Sequence, residues 1–277
     1  MLKYIRILLI VLFCLALLGA AGLFFYNYTH EDASPPAFRS GTDLLEVSVT
    51  DPSEALLAQL QASDNVDGDL TDKIRIKDIS TLINETDVNV TYIVFDEASN
   101  YATYTRTVRY TDYQPPRFSL LRPMVFNVGE TLNFGSSVKV TDQRDGDISG
   151  RLKLEESTVI NNTPGTYSVT LSAANRMGDT IQLPLTVQVI DNSVTRPTIS
   201  LSEYLVYAER GKTLIFRNYL QAVTDPLSAD PDQVPLSKVT INASRLDLSN
   251  PGVYEVYYYY TGLSGEIATV ILTVIVE

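Results

Sequence analysis

The chain is poor in the residues on which much protein chemistry depends. Its 277 residues hold one cysteine, one histidine and no tryptophan. Cys14 lies inside the N-terminal apolar run. A disulfide framework is therefore excluded, and so is thiol chemistry or a cysteine-ligated zinc site beyond that run. His30 sits just past the same run and reads as an incidental juxtamembrane residue, so a Ser-His-Asp or Cys-His mechanism has no histidine to use. Basic residues are also scarce: 21 Lys and Arg stand against 33 Asp and Glu, for a net charge of −12. That balance argues against nucleic acid as a partner, because phosphates call for Lys and Arg. It argues equally against docking on an anionic membrane surface, and suits a surface protein or one that gathers cations. No Gly-rich phosphate loop, His cluster or nucleophile elbow occurs. The paired carboxylates that a glycosidase uses appear only in turns that repeat along the chain. The reading is a non-enzyme.

One long apolar run is present. Lys3 and Arg6 precede an uncharged stretch from Ile7 to about Tyr26, enough to cross a hydrocarbon core of about 30 Å as a helix. Positive charge before the run, with Glu31 and Asp32 after it, places the N-terminus in the cytoplasm and the bulk outside. Phe24, Phe25, Tyr26 and Tyr28 suit the outer interface. Gly19-Ala20-Ala21 offers a cleavage site for a signal peptide, but the apolar run continues to Phe25, which favours an uncleaved anchor. The residues before Cys14, Val11-Leu12-Phe13, lack the small side chains of a lipid-attachment site. All of these readings export residues 30–277.

The exported part repeats. Asp64-Asn65-Val66-Asp67-Gly68-Asp69 returns as Asp142-Gln143-Arg144-Asp145-Gly146-Asp147, and in worn form at Asp225, Asp230 and Asp232. Proline-marked joints at Pro35-Pro36, Pro115-Pro116 and Arg196-Pro197 recur about every eighty residues, the signature of tandem small domains. After each acidic turn comes a strand of period two: Val88, Val90, Tyr92 and Val94 share one face, as do Tyr167, Val169, Leu171 and Ala173, and then Tyr254, Val256, Tyr258 and Tyr260. β-branched runs at 102–110, 180–190 and 268–276 end the units; in the first of these the Thr-rich face suits solvent. Short alternating strands split by Gly and Asp turns predict antiparallel β-sandwiches. Two segments break the pattern. Pro52–Leu60 predicts a short helix capped near Ser53, and 216–223 stands at the matching place in the third unit. The fold class is all-β: three tandem immunoglobulin-like β-sandwiches after one N-terminal transmembrane helix. The divisions are 1–29 for the cytoplasmic tail and signal anchor, then 30–113, 114–192 and 193–277 for the domains. Proline-bearing joints predict a semi-rigid rod.

These motifs resemble the bacterial immunoglobulin-like domain of the pesticidal-crystal-protein type, which recurs in Gram-positive surface proteins. Its acidic turn matches Asp64 to Thr71. Its Pro-Gly-Thr-Tyr matches Pro164 to Tyr167. Its Asp-x-x-Gly-Asn turn matches Asp96 to Asn100, with Ser99 in place of Gly. The likeness spans all three units unevenly: Asn175 stands in the second, and Gly262 in the third, at the position of Asp96. The resemblance implies fold, export and a cell-surface setting, with no single ligand and no catalysis.

Two sets of residues are candidate sites. Asp64, Asp67 and Asp69, with Asp96 approaching from a neighbouring loop, offer oxygens of the kind Ca²⁺ takes, as do Asp142, Asp145 and Asp147 in the second unit. The alternative is that these aspartates form Asx-turns with nearby backbone N–H groups. Tyr257 and Tyr259 lie on the strand face opposite Tyr258, where they either meet another strand or present an aromatic pair to a sugar ring or a protein. The expected protein is a single-pass cell-membrane stalk with an extracellular bulk, serving adhesion or protein binding. A carbohydrate-binding accessory role is the alternative. The expected partners are the membrane, through the N-terminal helix, and an extracellular protein or glycan.

Overall fold

The computed structural model describes residues 2–30 and 32–277, without the side chains of residues 2 and 27–30. The expectations for Tyr28, His30 and Glu31 lie outside what is described. Helix α1 (Leu2–His30) is followed only by strands and short 3₁₀ turns. Its apolar part, Lys3–Tyr26, is wholly exposed and is long and apolar enough to cross a membrane, a property that signal sequences share.

The remainder is all-β. The first set of strands is β1 (Ala37–Ser40), β2 (Leu44–Val47), β3 (Leu60–Asp64), β4 (Gly68–Asp69), β5 (Arg75–Ile79), β6 (Asp87–Phe95) and β7 (Tyr101–Tyr110). They form the sheets β1-β3-β4 and β2-β7-β6-β5. The second set is β8 (Arg117–Leu120), β9 (Val125–Asn127), β10 (Val138–Asp142), β11 (Gly146–Asp147), β12 (Lys153–Ser157), β13 (Gly165–Ala174) and β14 (Thr180–Ile190), in sheets β8-β10-β11 and β12-β13-β14-β9. The third is β15 (Thr198–Leu201), β16 (Leu205–Ala208), β17 (Leu220–Thr224), β18 (Thr240–Asn242), β19 (Gly252–Thr261) and β20 (Ile267–Val276), in sheets β15-β17 and β16-β20-β19-β18.

Period-two faces build the cores. Val88, Val90, Tyr92 and Val94 are fully buried, and their counterparts Val169, Leu171 and Ala173, then Val256 and Tyr258, are buried likewise. In β7 the Thr-rich face is the more exposed one. Its buried face carries an unexpected residue, Arg106. The Arg106 guanidinium donates to the Leu56 and Ala58 carbonyls and lies over the Tyr92 ring.

Three expectations change. The sandwiches are not purely antiparallel. In each, the first extended segment splits between the two sheets, and its second half runs parallel to the last strand: β2 with β7, β9 with β14, β16 with β20. Both halves keep one chain direction, so one of them meets a parallel neighbour. The helices near Pro52 and Phe216 are single 3₁₀ turns, Ser53–Leu57 and Phe216–Tyr219. Pro52, not Ser53, precedes the first, and no side chain caps it. A buried tyrosine hydroxyl pins each turn instead: Tyr92 donates to the Leu56 carbonyl and Tyr258 to the Phe216 carbonyl.

The third change concerns the second joint. The chain divides into two compact units, 1–111 and 112–277. Within the latter, the two sandwiches are not separated by an extended spacer. Leu205 is buried in the core of the second sandwich, with Tyr204, Tyr207, Val253 and Ile275 packed against it. Tyr207 accepts a hydrogen bond from the Phe118 N–H at 2.8 Å, and Arg117 lies over its ring and pairs with Glu277. The face of the β19–β20 ladder opposite the Tyr258 core is thus a docking face.

Candidate functional site

The acidic turn is built the same way in the first two sandwiches. Asp64 ends β3, and its Oδ1 accepts the N–H groups of Val66 (2.7 Å) and Asp67 (3.1 Å). Gly68 then takes φ +74°, a left-handed conformation that turns the chain into β4. In the second sandwich Asp142 Oδ1 accepts from Arg144 and Asp145, and Gly146 takes φ +72°. These are Asx-turns, as the sequence allowed.

The other carboxylate oxygen is where the repeats part. In the second sandwich Asp142 Oδ2 accepts from Asn175 Nδ2 at 3.0 Å. The same amide reaches the Tyr113 hydroxyl at 2.9 Å, and Tyr113 donates to Asp179. Burial first, and then the bond to Asp179, push the Tyr113 hydroxyl well above the usual tyrosine range. In the third sandwich Asp225 Oδ2 accepts the Leu263 N–H at 2.9 Å and the Tyr260 hydroxyl at 3.2 Å.

In the first sandwich the position of Asn175 is Asp96, which has no donor to give. One oxygen each from Asp64, Asp96 and Asp32 come within 4.8 Å of one another. Asp64 is 9% exposed and Asp96 7%. Asp96 accepts from Asn100 through both oxygens. Asp32 is fixed by the Ser34 N–H on Oδ1 and by Asn100 Nδ2 on its carbonyl, each at 2.9 Å. Asp64 Oδ2 and Asp32 Oδ2 are shielded from solvent and accept no hydrogen bond. The backbone N–H groups of Val66 and Asp67 hold the Asp64 carboxyl below its usual range, so it is anionic at neutral pH. This is an oxygen-only set of the kind that holds a hard cation.

The remaining acidic candidates serve other bonds. Asp67 Oδ2 accepts the Glu97 N–H, and Asp69 accepts the Thr71 N–H. Asp145 pairs with Arg151 at 2.6 Å and accepts the Arg176 N–H. Asp147 accepts from Ser149. Asp32 escaped sequence reasoning because it stands far from the acidic turn in the chain; its place just before Pro35-Pro36, at a joint, was the only signal.

Tyr257 and Tyr259 are half-buried and stack with centroids 6.0 Å apart and planes 7° from parallel. Tyr257 donates to Glu255 at 2.6 Å, and Glu255 also accepts the Thr186 N–H of the second sandwich. Burial, then Glu255, pushes the Tyr257 hydroxyl up to about 12. The pair lines a depression of about 300 Å³ with Asn242, Ser244, Arg245 and Glu255.

No family model matches the chain. It is 30% identical over 145 residues to pesticidal crystal protein Cry22Aa of Bacillus thuringiensis, covering 50% of this chain and 19% of that protein. The chain thus spans less than a fifth of the curated relative it matches. Among solved structures, a Drosophila N-cadherin EC1-3 fragment is 14% identical, with coverage of 85% of this chain and 98% of that one and a TM-score of 0.29. The Clostridium perfringens ZmpB structure containing the M60 catalytic domain with CBM51-1 and CBM51-2 is 11% identical, covers 88% of this chain and 31% of that one, and has a TM-score of 0.24. The chain is built of β-rich domains of immunoglobulin-like type.

Proposed function

We propose that this chain is an exported, membrane-anchored binding module that works by display and capture rather than catalysis. The observation that carries the reading is the apolar, wholly exposed helix Lys3–Tyr26 leading into β-sandwiches. A helix of that composition has no polar face to present to water and needs either lipid or removal by a signal peptidase. Cells expressing the chain with a C-terminal tag, treated with external protease, test this. Loss of the tag from intact cells, with the chain in the membrane fraction, is the expected result. A tag protected in intact cells and recovered with the soluble cytoplasmic fraction overturns it. Sequencing of the mature N-terminus separates an anchor from a cleaved signal.

A glycan ligand is the second reading, favoured by the depression beside Tyr257 and Tyr259. Stacked aromatic faces next to Asn, Arg and Glu side chains offer what a sugar ring takes: an apolar face to lie on and polar groups for its hydroxyls. Glycan arrays with the wild-type chain, and with Tyr257→Ala and Tyr259→Ala, test it. Binding lost in both variants supports a glycan site. Binding that survives both variants, or a blank array, removes the second reading and leaves a protein partner.

A further inference from the structure

We propose that Asp32, Asp64 and Asp96 together hold one calcium ion, and that this ion clasps the segment leaving the N-terminal helix onto the first sandwich. The three carboxylates converge without a Lys, Arg or His partner among the described ion pairs. Two of their oxygens are buried and accept nothing. A buried anionic oxygen without a partner is strongly disfavoured, and the chain itself supplies the control. At the same position the second sandwich closes the oxygen with an amide and the third with a backbone N–H and a tyrosine hydroxyl. Only the first, where the amide is replaced by a third acidic group, leaves it open. What fits there is positive and bonds to oxygen alone. Three oxygens each within 4.8 Å of the others share a centre no more than about 2.8 Å from any of them, so a small inward movement brings all three to a Ca–O distance of about 2.4 Å, with water completing the shell. Mg²⁺ demands near-ideal octahedral geometry at about 2.1 Å and sheds its water reluctantly, so a set of three protein carboxylates suits Ca²⁺ better.

The consequence follows from Asp32. It lies two residues beyond the end of α1, whereas Asp64 ends β3 and Asp96 directly follows β6. Calcium therefore joins the chain leaving the helix to the fold it carries, with an affinity on the order of 10⁻⁴ M as in extracellular modules.

The test uses the full chain in detergent micelles, with CaCl₂ as ligand. Calorimetry is expected to give one equivalent bound. Millimolar Ca²⁺ is expected to raise the first melting transition by roughly 10 °C, reversed by EDTA. Proteinase K is expected to cut between α1 and β1 in EDTA and not in Ca²⁺. Asp96→Asn recreates the arrangement of the second sandwich. It is expected to abolish binding yet to melt higher than wild type in EDTA, so loss of binding cannot be mistaken for loss of folding. Asp32→Asn is expected to weaken binding at least tenfold and to lose the protease protection. No heat of binding, a shift equalled by NaCl, binding retained in Asp96→Asn, or protection independent of Ca²⁺ each overturn the proposal.

Discussion

The first and second sandwiches share an acidic turn and differ in how they close it. Asp142 Oδ2 accepts from the Asn175 amide at 3.0 Å, while Asp64 Oδ2 meets Asp96 and Asp32 and accepts no hydrogen bond. Carboxyl groups at Asp96 and Asp32, in place of the Asn175 amide and the Tyr113 hydroxyl, thus convert a self-contained hydrogen-bond cluster into a set of converging acidic groups. A second position makes the same point on a strand face. One cross-strand pair is Asp87 with Arg109 in the first sandwich, Thr166 with Gln188 in the second and Val253 with Ile275 in the third. It is charged in the first sandwich, polar in the second and apolar in the third, where Val253 and Ile275 pack against the core of the second. The repeat keeps its backbone and changes its company through a few side chains.

The largest expected effect comes from moving the first sandwich's chemistry into the second. Asn175→Asp removes the donor to Asp142 and buries a second carboxylate beside it. Urea unfolding of the full chain in EDTA is expected to show a loss of about 3–5 kcal/mol in the transition of residues 112–277. A loss below about 1 kcal/mol would mean that the amide is dispensable.

Charging the docking face comes next. Val253→Asp with Ile275→Arg restores the first sandwich's pair in the third. Lost apolar burial is expected to cost about 2–3 kcal/mol and to split the melting of the second and third sandwiches into two calorimetric peaks. A single unsplit peak at the wild-type temperature would deny the shared core.

A smaller effect separates the pairs by pH. Arg109 first, then Asn84, holds the Asp87 carboxyl well below the usual carboxylate range. A folded-state value below the unfolded one stabilises above the unfolded pKa of about 4, and that stability is lost as pH falls further, toward the folded value. The first sandwich of wild type is expected to lose more stability between pH 4 and about pH 2 than Asp87→Asn does, in acid titrations followed by circular dichroism. Parallel curves would remove the pair as a contributor.

The smallest effect is a gain. Ser99 adopts φ +72° where Gly178 and Gly265 take +80° and +81°. Ser99→Gly is expected to raise the first sandwich's stability by up to about 1 kcal/mol. An unchanged denaturation midpoint would show that the turn tolerates serine freely.

Much of this was legible in the sequence for a physical reason: strand faces and turns are local. Tyr92 and Tyr258 declared their cores by alternation, and Asp64 and Asp142 their turns by spacing from Gly68 and Gly146. What was hidden depends on residues distant in the chain. Asp32 joins Asp64 and Asp96 only after the fold closes. Arg106 shares its strand face with Val108 and Tyr110, and only the fold brings it the Leu56 and Ala58 carbonyls that let its charge be buried there. The docking face did leave a trace. Residues 267–276 are apolar on nearly every position, the pattern of a strand covered on both sides.

The parallel pairing of first and last segments carries a mechanical meaning. In each sandwich a strand near the entry point, such as β2, lies alongside the exit strand, such as β7, pointing the same way. Tension applied at the two ends of such a domain slides these strands past each other and loads their hydrogen bonds together instead of peeling them singly. Resistance to pulling is then set by the rate of a collective rupture, and each sandwich is wired to bear force along its length.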